Sequence, residues 1–155
     1  MTQRPDLEQC AQVIMEGVPP VMHFIRSQMR RHGSPALSVP QFRALAYLWR
    51  HPGASLSDLA GHLGITRPTA STMIDRLVQS GYVDREADPA ERRRSVLTLT
   101  PAGTELYQSA RAATRQRVAE VLARLAPQQV AEVVGAVSLL NQLFREVSTH
   151  EHAGP

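Results

Sequence analysis

The sequence predicts a mainly α-helical fold interrupted by one small β-hairpin. Three observations predict it. Apolar residues recur at helical spacing through most of the chain. The period drops from about 3.6 residues to 2 once, around residues 82–100. Pro and Gly fall mostly between the periodic segments, where they end elements rather than interrupt them. At 155 residues and 17.1 kDa the chain fits one domain, or a core with a small appendage.

The first element is helix-compatible from Asp6 to Gly17, with Val13, Ile14 and Val18 on one side. Pro19-Pro20 removes two backbone donors, so a kink or a stop and restart is expected there. The continuation, Val21–Arg31, carries Val21, Phe24, Ile25 and Met29 as a stripe and ends at His32-Gly33-Ser34-Pro35. Ser38 caps the next helix, with Pro40 in its first turn. That helix is apolar nearly all round (Val39, Phe42, Leu45, Ala46, Trp49, with Ala44, Tyr47 and Leu48), the pattern of a central helix. After His51-Pro52-Gly53 comes an extended piece, Ala54-Ser55-Leu56. Ser57 is expected to cap a two-turn helix that buries Leu59, Ala60 and Leu63 and stops at Gly64. Thr66 caps a further helix, Arg67–Gln79, whose stripe is Ala70, Met73, Ile74 and Leu77.

Two strands follow, Tyr82–Ala87 and Ser95–Thr100, around the polar tip Asp88-Pro-Ala-Glu-Arg-Arg-Arg94. Pro101 then opens a long helix, Ala102–Leu125. The last helix, Gln128–Val147, carries Val130, Val133, Val134, Val137, Leu140, Phe144 and Val147 at near-heptad spacing. The expected organisation is an N-terminal helical segment over 1–37, a middle domain over 38–100, C-terminal helices over 101–149 and a disordered tail over 150–155.

Composition excludes several classes. No run approaches the roughly 18 apolar residues of a membrane span. Met1–Leu7 is polar, so no signal peptide is expected, and the single Cys10 cannot build a disulfide framework. The cytoplasm is the expected compartment. All 17 basic residues are arginine, which inflates the isoelectric point of 9.7; the net charge is only +3, carried by the first third of the chain. Six scattered histidines give no metal-ligand spacing, so no metal and no cofactor is expected. No nucleophile–base pair, carboxylate dyad or phosphate-cradling glycine loop appears, so an enzyme is not expected.

The order short helix, tight turn, second helix, basic-tipped hairpin is that of a winged helix-turn-helix. The second helix has a polar side opposite its buried stripe. Arg67, Pro68, Thr69, Thr72 and Arg76 form that side, suited to entering a major groove about 12 Å wide. Ser71 and Ser57 are expected on phosphates. Asp75 adds an opposing charge to the same side. Arg92, Arg93 and Arg94 at the hairpin tip suit phosphates or a narrow minor groove, with Glu91 placed to orient Arg93. The expected partner is double-stranded DNA.

Asp88-Pro-Ala-Glu-Arg-Arg-Arg-Ser-Val-Leu-Thr-Leu-Thr-Pro-Ala-Gly103 strongly resembles the wing signature of the MarR transcriptional regulators, in which a carboxylate, one residue and an arginine lead to Leu-Thr and a helical Gly. Glu91 and Arg93 fill the first two places, Glu replacing the usual Asp, with Leu99, Thr100 and Gly103 following. The resemblance extends upstream through Leu59–Gly64 and Thr66–Gly81 and, with the flanking helices, covers nearly the whole chain. It implies a homodimer held by the terminal helices, a palindromic operator, repression, and release by a small aromatic or anionic effector. His23, Arg26, Phe42 and Trp49 are the residues it points to for that effector. One branch of the family senses peroxide through an N-terminal cysteine held by tyrosines. Here Cys10 falls about one helical turn too early, and Val39 stands where a tyrosine would be needed. Two alternatives remain: a redox-sensing regulator using Cys10, and a dimeric interaction module that does not bind DNA.

Overall fold

The computed structural model describes residues 6–33, 37–91 and 94–151, with the side chains of 148–151 excepted. Helix α1, Leu7–His32, starts where the Asp6 carboxylate accepts from the Glu8 amide, and its last turn carries Arg30, Arg31 and His32 against the helix dipole. It runs as one helix through Pro19 and Pro20, so no stop and restart occurs. The two prolines withdraw the donors that Met15 and Glu16 carbonyls would accept from. Residues 15–23 are exposed, and water can take those carbonyls instead.

Helix α2, Val39–Arg50, has a full capping box: Gln41 Oε1 accepts from the Ser38 amide while Ser38 Oγ accepts from the Gln41 amide. Strand β1 is Ala54–Ser55, and helix α3 is Leu56–Leu63. The expected cap at Ser57 moves two residues back. Ser55 caps α3 because Asp58, three residues on, closes a reciprocal box with it, whereas Ala60 could not do so for Ser57. Gly64 ends α3 at φ 68°, a left-handed conformation that favours glycine. Helix α4 is Arg67–Gln79, capped by Thr66 as predicted.

Strands β2, Val83–Ala87, and β3, Ser95–Leu99, form the hairpin. The short β1 joins it, giving an antiparallel sheet of order β1-β3-β2 in which Ala54 faces Leu97 and Val83 faces Leu99. Helix α5 is Pro101–Leu122 and helix α6 is Pro127–Glu151. Thus α6 runs past Val147 into the segment expected to fray; residues 152–155 lie outside the described residues.

Two compact units result, Met1–Gln116 and Arg117–Pro155. The boundary expected after residue 100 falls inside the first, since Tyr107 and Ala110 of α5 belong to its core. Leu45, Leu48, Leu59, Ile74, Leu77, Val83 and Leu97 are the largest fully buried side chains there. The Leu-Thr-Pro-Ala-Gly run is a joint. Thr100 donates its amide to Tyr82 O at 3.1 Å and its hydroxyl to Gly81 O at 2.6 Å, and Gly103 donates to Thr100 Oγ1 at 3.0 Å. A Cβ on Gly103 would collide with the Tyr82 carbonyl, so only glycine lets α5 approach this closely. The second unit holds α6, whose Val134, Val137, Leu139, Leu143, Phe144 and Val147 are all at least half exposed.

Candidate nucleic-acid interface

Helix α4 buries Ala70, Met73, Ile74 and Leu77 and exposes Arg67, Pro68, Thr69, Thr72 and Arg76, the division its periodicity predicts. Its N-terminus is tight: Thr66 Oγ1 accepts from the Thr69 amide and lies 2.8 Å from the Thr69 hydroxyl. Thr72 donates its hydroxyl to Pro68 O at 3.1 Å, leaving its lone pairs and methyl group for a ligand. Neither Arg67 nor Arg76 has a carboxylate partner among the described residues. The exposed side of α4 is therefore cationic, small and hydroxyl-rich.

The opposing charge on this helix is neutralised by a residue that the pattern alone does not single out. Arg85 of β2 donates from Nη1 to Asp75 Oδ1 at 3.0 Å and to Ser71 Oγ at 3.3 Å, and from Nε to Ser95 Oγ at 3.2 Å. Ser71, expected on a phosphate, is half-buried and accepts this bond. An unpartnered acid on α4 and an arginine on the next strand were the available signals; only the docked helix and hairpin bring them together.

Arg94, also expected on a phosphate, turns to the wing root. Its guanidinium lies 3.5 Å from Asp58 Oδ2 and 4.0 Å from Asp88 Oδ2. Ser55 donates to the same Asp58 oxygen from its hydroxyl at 2.6 Å and its amide at 3.0 Å. These bonds, with the Arg94 charge a lesser cause, hold the Asp58 carboxyl below the usual carboxylate range. The tip is closed by Asp88 Oδ1 accepting from the Ala90 amide and by the Arg94 amide donating to Glu91 O, both at 2.8 Å. The Glu91 side chain is exposed; Arg93, expected in the minor groove, and Arg92, expected on a phosphate, lie outside the described residues.

Two clefts flank α4. One, of about 350 Å³, brings Ser57, Arg67, Glu91 and Arg94 together with Ser55, Asp58 and Ser95. The other, of about 420 Å³, joins Thr69, Thr72 and Arg76 to Ser38, Pro40 and Gln41 at the capped start of α2. The start of α2 is a part of this surface that the sequence pattern did not assign.

A third cleft, of about 450 Å³, lies between α1 and α2. Arg26 and Phe42 line it as expected, with Arg30, Arg43, Arg50 and His62 added, over Met22, Ile25, Met29, Val39, Ala46 and Tyr107. Among the described residues no carboxylate lines it. His23 and Trp49 do not. His23 is exposed beside the stripe, and Trp49 packs on Tyr107 at 5.5 Å between centroids under the Arg111 guanidinium at 4.7 Å. The Arg50 guanidinium is fixed by donating from Nε to Ala46 O at 3.1 Å. Partial burial, then the charges of Arg50 and Arg43 and of His51, push the His62 imidazole below its usual value of 6.5. Tyr47 sits between His51 and His62, at 4.5 and 4.4 Å between centroids. Cys10 is exposed on α1. Among the described residues no cluster could hold a metal, and no helix is long and apolar enough to cross a membrane.

A buried-stripe helix with a cationic outer side, set beside a three-stranded sheet and hairpin, defines a winged helix-turn-helix of the DNA-binding regulator class. The comparisons make this definite. A model of the MarR family matches residues 37–95. HTH-type transcriptional repressor Rv2887 of Mycobacterium tuberculosis is 39% identical over 94 residues, 60% of this chain and 68% of its own length. The chain belongs to the MarR family of DNA-binding transcriptional regulators. Among solved structures, Rv1404 of M. tuberculosis superposes with a TM-score of 0.76 at 22% identity, covering 90% of this chain and 95% of that one. A mutant of S. aureus MepR bound to an oligodeoxyribonucleotide gives 0.62 at 20%, covering 83% and 96%. MepR bound to ethidium bromide gives 0.60 at 20%, covering 83% and 95%.

Proposed function

We infer that the chain is a homodimeric, sequence-specific repressor that reads a palindromic operator and is released when an organic anion fills the α1–α2 cleft. The observation that carries the DNA reading is the outer side of α4, where Arg67 and Arg76 stand among exposed threonines with no carboxylate partner from the described residues. Arg76 and Arg67 fork onto guanine edges, and Thr69, Thr72 and Pro68 allow close approach and contact with thymine methyls. Ser57 and the start of α2 serve the flanking phosphates. Arg93, oriented by Glu91, enters the minor groove, with Arg92 on a phosphate; Arg94 anchors the root of the wing. The repressor name of the mycobacterial relative and the oligonucleotide on MepR agree with this reading.

The exposed apolar side of α6 supports the dimer, since a contiguous apolar face this size is rarely left in water. The cleft supports the effector. Ethidium, held by MepR, is a cation. Four arginines without a carboxylate select the opposite charge here, and the apolar floor selects an organic body. The binding of such an anion must favour the dimer form that cannot engage DNA.

Selection of duplexes from a random pool at about 150 mM salt tests the DNA reading, because that salt suppresses non-specific binding. The expected product is a palindrome with half-sites about 10–10.5 bp apart, or a multiple of it. Arg93→Ala should weaken the selected duplex. No enriched sequence would leave the interaction module as the surviving alternative.

A further inference from the structure

We propose that Arg85 is a positioning residue for DNA recognition, a clamp that sets the wing at a fixed angle to α4 and masks the carboxylate that α4 itself carries on its reading side. The reasoning rests on α4 and the wing both touching DNA. It starts from Asp75, whose side chain is about half exposed (55%) on the same side of α4 as Thr72 and Arg76. Left alone, that carboxylate would repel a phosphate backbone. Arg85 answers it with a charged hydrogen bond at 3.0 Å.

The geometry goes further than charge masking. One planar guanidinium on β2 reaches two other elements: Asp75 and Ser71 of α4 through Nη1, and Ser95 of β3 through Nε. Arg85 itself sits on β2, opposite Leu97. Both arms of the hairpin are thus tied to the reading helix by one side chain. Ser95 is the first residue of β3, directly after the tip, so the tie grips the hairpin near its free end. Between α4 and β2 the chain has only Ser80, Gly81 and Tyr82, and Gly81 is at φ 77°. A tie beyond that short joint fixes an angle that the joint alone does not.

As a stabilising device the pair is weak, because Arg85 is about a third exposed (32%) and Asp75 half exposed, and such pairs contribute little to folding. Its consequence lies in recognition. A helix in the major groove and a wing in the minor groove act as two linked contacts, and linked contacts reinforce each other only when the geometry lets both engage. Ser71 and Asp75 are four residues apart on α4, the spacing that puts both on one side of a helix and lets a single fork reach them.

The test uses the full chain, the duplex selected from the random pool and a shuffled duplex of the same composition. Arg85→Gln should weaken the selected duplex roughly tenfold or more. It should remove hydroxyl-radical protection from the outer minor groove, and lower the slope of log affinity against log salt only by the contacts that the disengaged wing gives up. Asp75→Asn added to Arg85→Gln should recover part of the shuffled-duplex affinity without recovering that protection, because the exposed charge is gone and the tie is not restored. Ser95→Ala removes only one hydroxyl and should reduce wing protection with no change in melting temperature, which keeps the test open should Arg85→Gln unfold. A salt slope reduced by about one with the minor-groove protection intact would make Arg85 a direct phosphate contact and overturn the proposal. Unchanged protection in either Arg85→Gln or Ser95→Ala would also overturn it. Wild-type binding reports on the DNA reading, and the difference between wild type and variant on the clamp; a wild type that selects nothing removes both.

Discussion

Helices α4 and α6 carry the same kind of sequence pattern and meet opposite fates. The α4 stripe, Ala70, Met73, Ile74 and Leu77, is buried within its own chain, three of the four at 0% exposure. The α6 stripe is not. Val134 and Val137 are 60% and 59% exposed, and only Val130 and Leu140 are half-buried. Periodicity therefore tells which side of a helix is apolar and not what covers it. The first pattern is a fold determinant. On our reading the second is an association determinant, covered by a second copy of the chain.

Val137→Asp breaks the comparison most severely. In a dimer it places a carboxylate from each copy in the seam. An unpaired buried charge costs about 3–5 kcal/mol, roughly two to four decades in the dimer constant for each carboxylate. Sedimentation should show monomer, far-ultraviolet dichroism should stay helical, and operator binding should collapse. An unchanged sedimentation coefficient would mean that the α6 face is covered by something other than a second copy. Ile74→Ala is the matching change on α4. It should lower unfolding stability by about 2–5 kcal/mol, the usual range for truncating a buried aliphatic side chain. Val134→Ala should cost the isolated chain little, since an exposed methyl contributes little to its folding. Denaturant titration of both at low protein concentration checks the contrast.

The outer sides of the two helices sharpen the comparison. Arg76→Ala should cost about 1–3 kcal/mol on the selected duplex, relax the preference at one base pair, and leave shuffled DNA less affected. Asn141→Ala, on an exposed position of α6, should change neither. Equal losses on selected and shuffled duplexes would reassign Arg76 from base edge to phosphate.

The winged fold was legible because its signals are local. Thr66, Gly64, and Ser38 with Gln41 announce their caps, and the change of period announces the hairpin. The wing motif could be read down to Gly103, and the close approach to Tyr82 supplies its physical cause. The Ser57 cap failed where the information was present. Ser55-Leu-Ser-Asp58 spells a capping box for the earlier serine. Of the four effector candidates Arg26 and Phe42 line the cleft, and His23 and Trp49 miss it by single positions. The cleft uses 22, 25, 26, 29 and 30 of α1 and 39, 42, 43, 46 and 50 of α2, one stripe on each helix. His23 and Trp49 lie one residue off those stripes, about 100° round the helix. Arg85 and Arg94 were beyond local reading altogether, because their partners on α4 and α3 are ten or more residues away. Within the basic tip Arg94 was expected on a phosphate, and the fold turns it to Asp58 and Asp88 instead.

The α1–α2 cleft sets a third case beside α4 and α6, an apolar floor under a cationic rim, and its expected response is the smallest and the most diagnostic. The charged and titratable groups that face it are Arg26 and Arg30 of α1, Arg43 and Arg50 of α2, His62 of α3 and Tyr107 of α5, with Tyr47 and His51 stacked behind His62. In the folded protein His62 holds its proton less firmly than the usual 6.5, from burial first and then from Arg50, Arg43 and His51. Below about 6.5 the unfolded chain therefore binds more protons at this position, and folding stability falls as pH falls through that window. An anion in the cleft reverses the bias, because it favours the imidazolium. Binding then takes up a fraction of a proton, and affinity rises as pH drops from about 7.5 to about 5.5, by less than tenfold per unit. Calorimetric titration with benzoate and with phthalate, each in two buffers of different ionisation enthalpy, reads this proton uptake directly. Phthalate should bind more tightly than benzoate, since two carboxylates meet four arginines. His62→Asn should flatten the pH dependence without abolishing binding, whereas Arg43→Gln should weaken both anions. Affinity that is flat with pH in the wild type would place the anion away from His62, and preference for a cation of the same size would remove the anionic effector from this site.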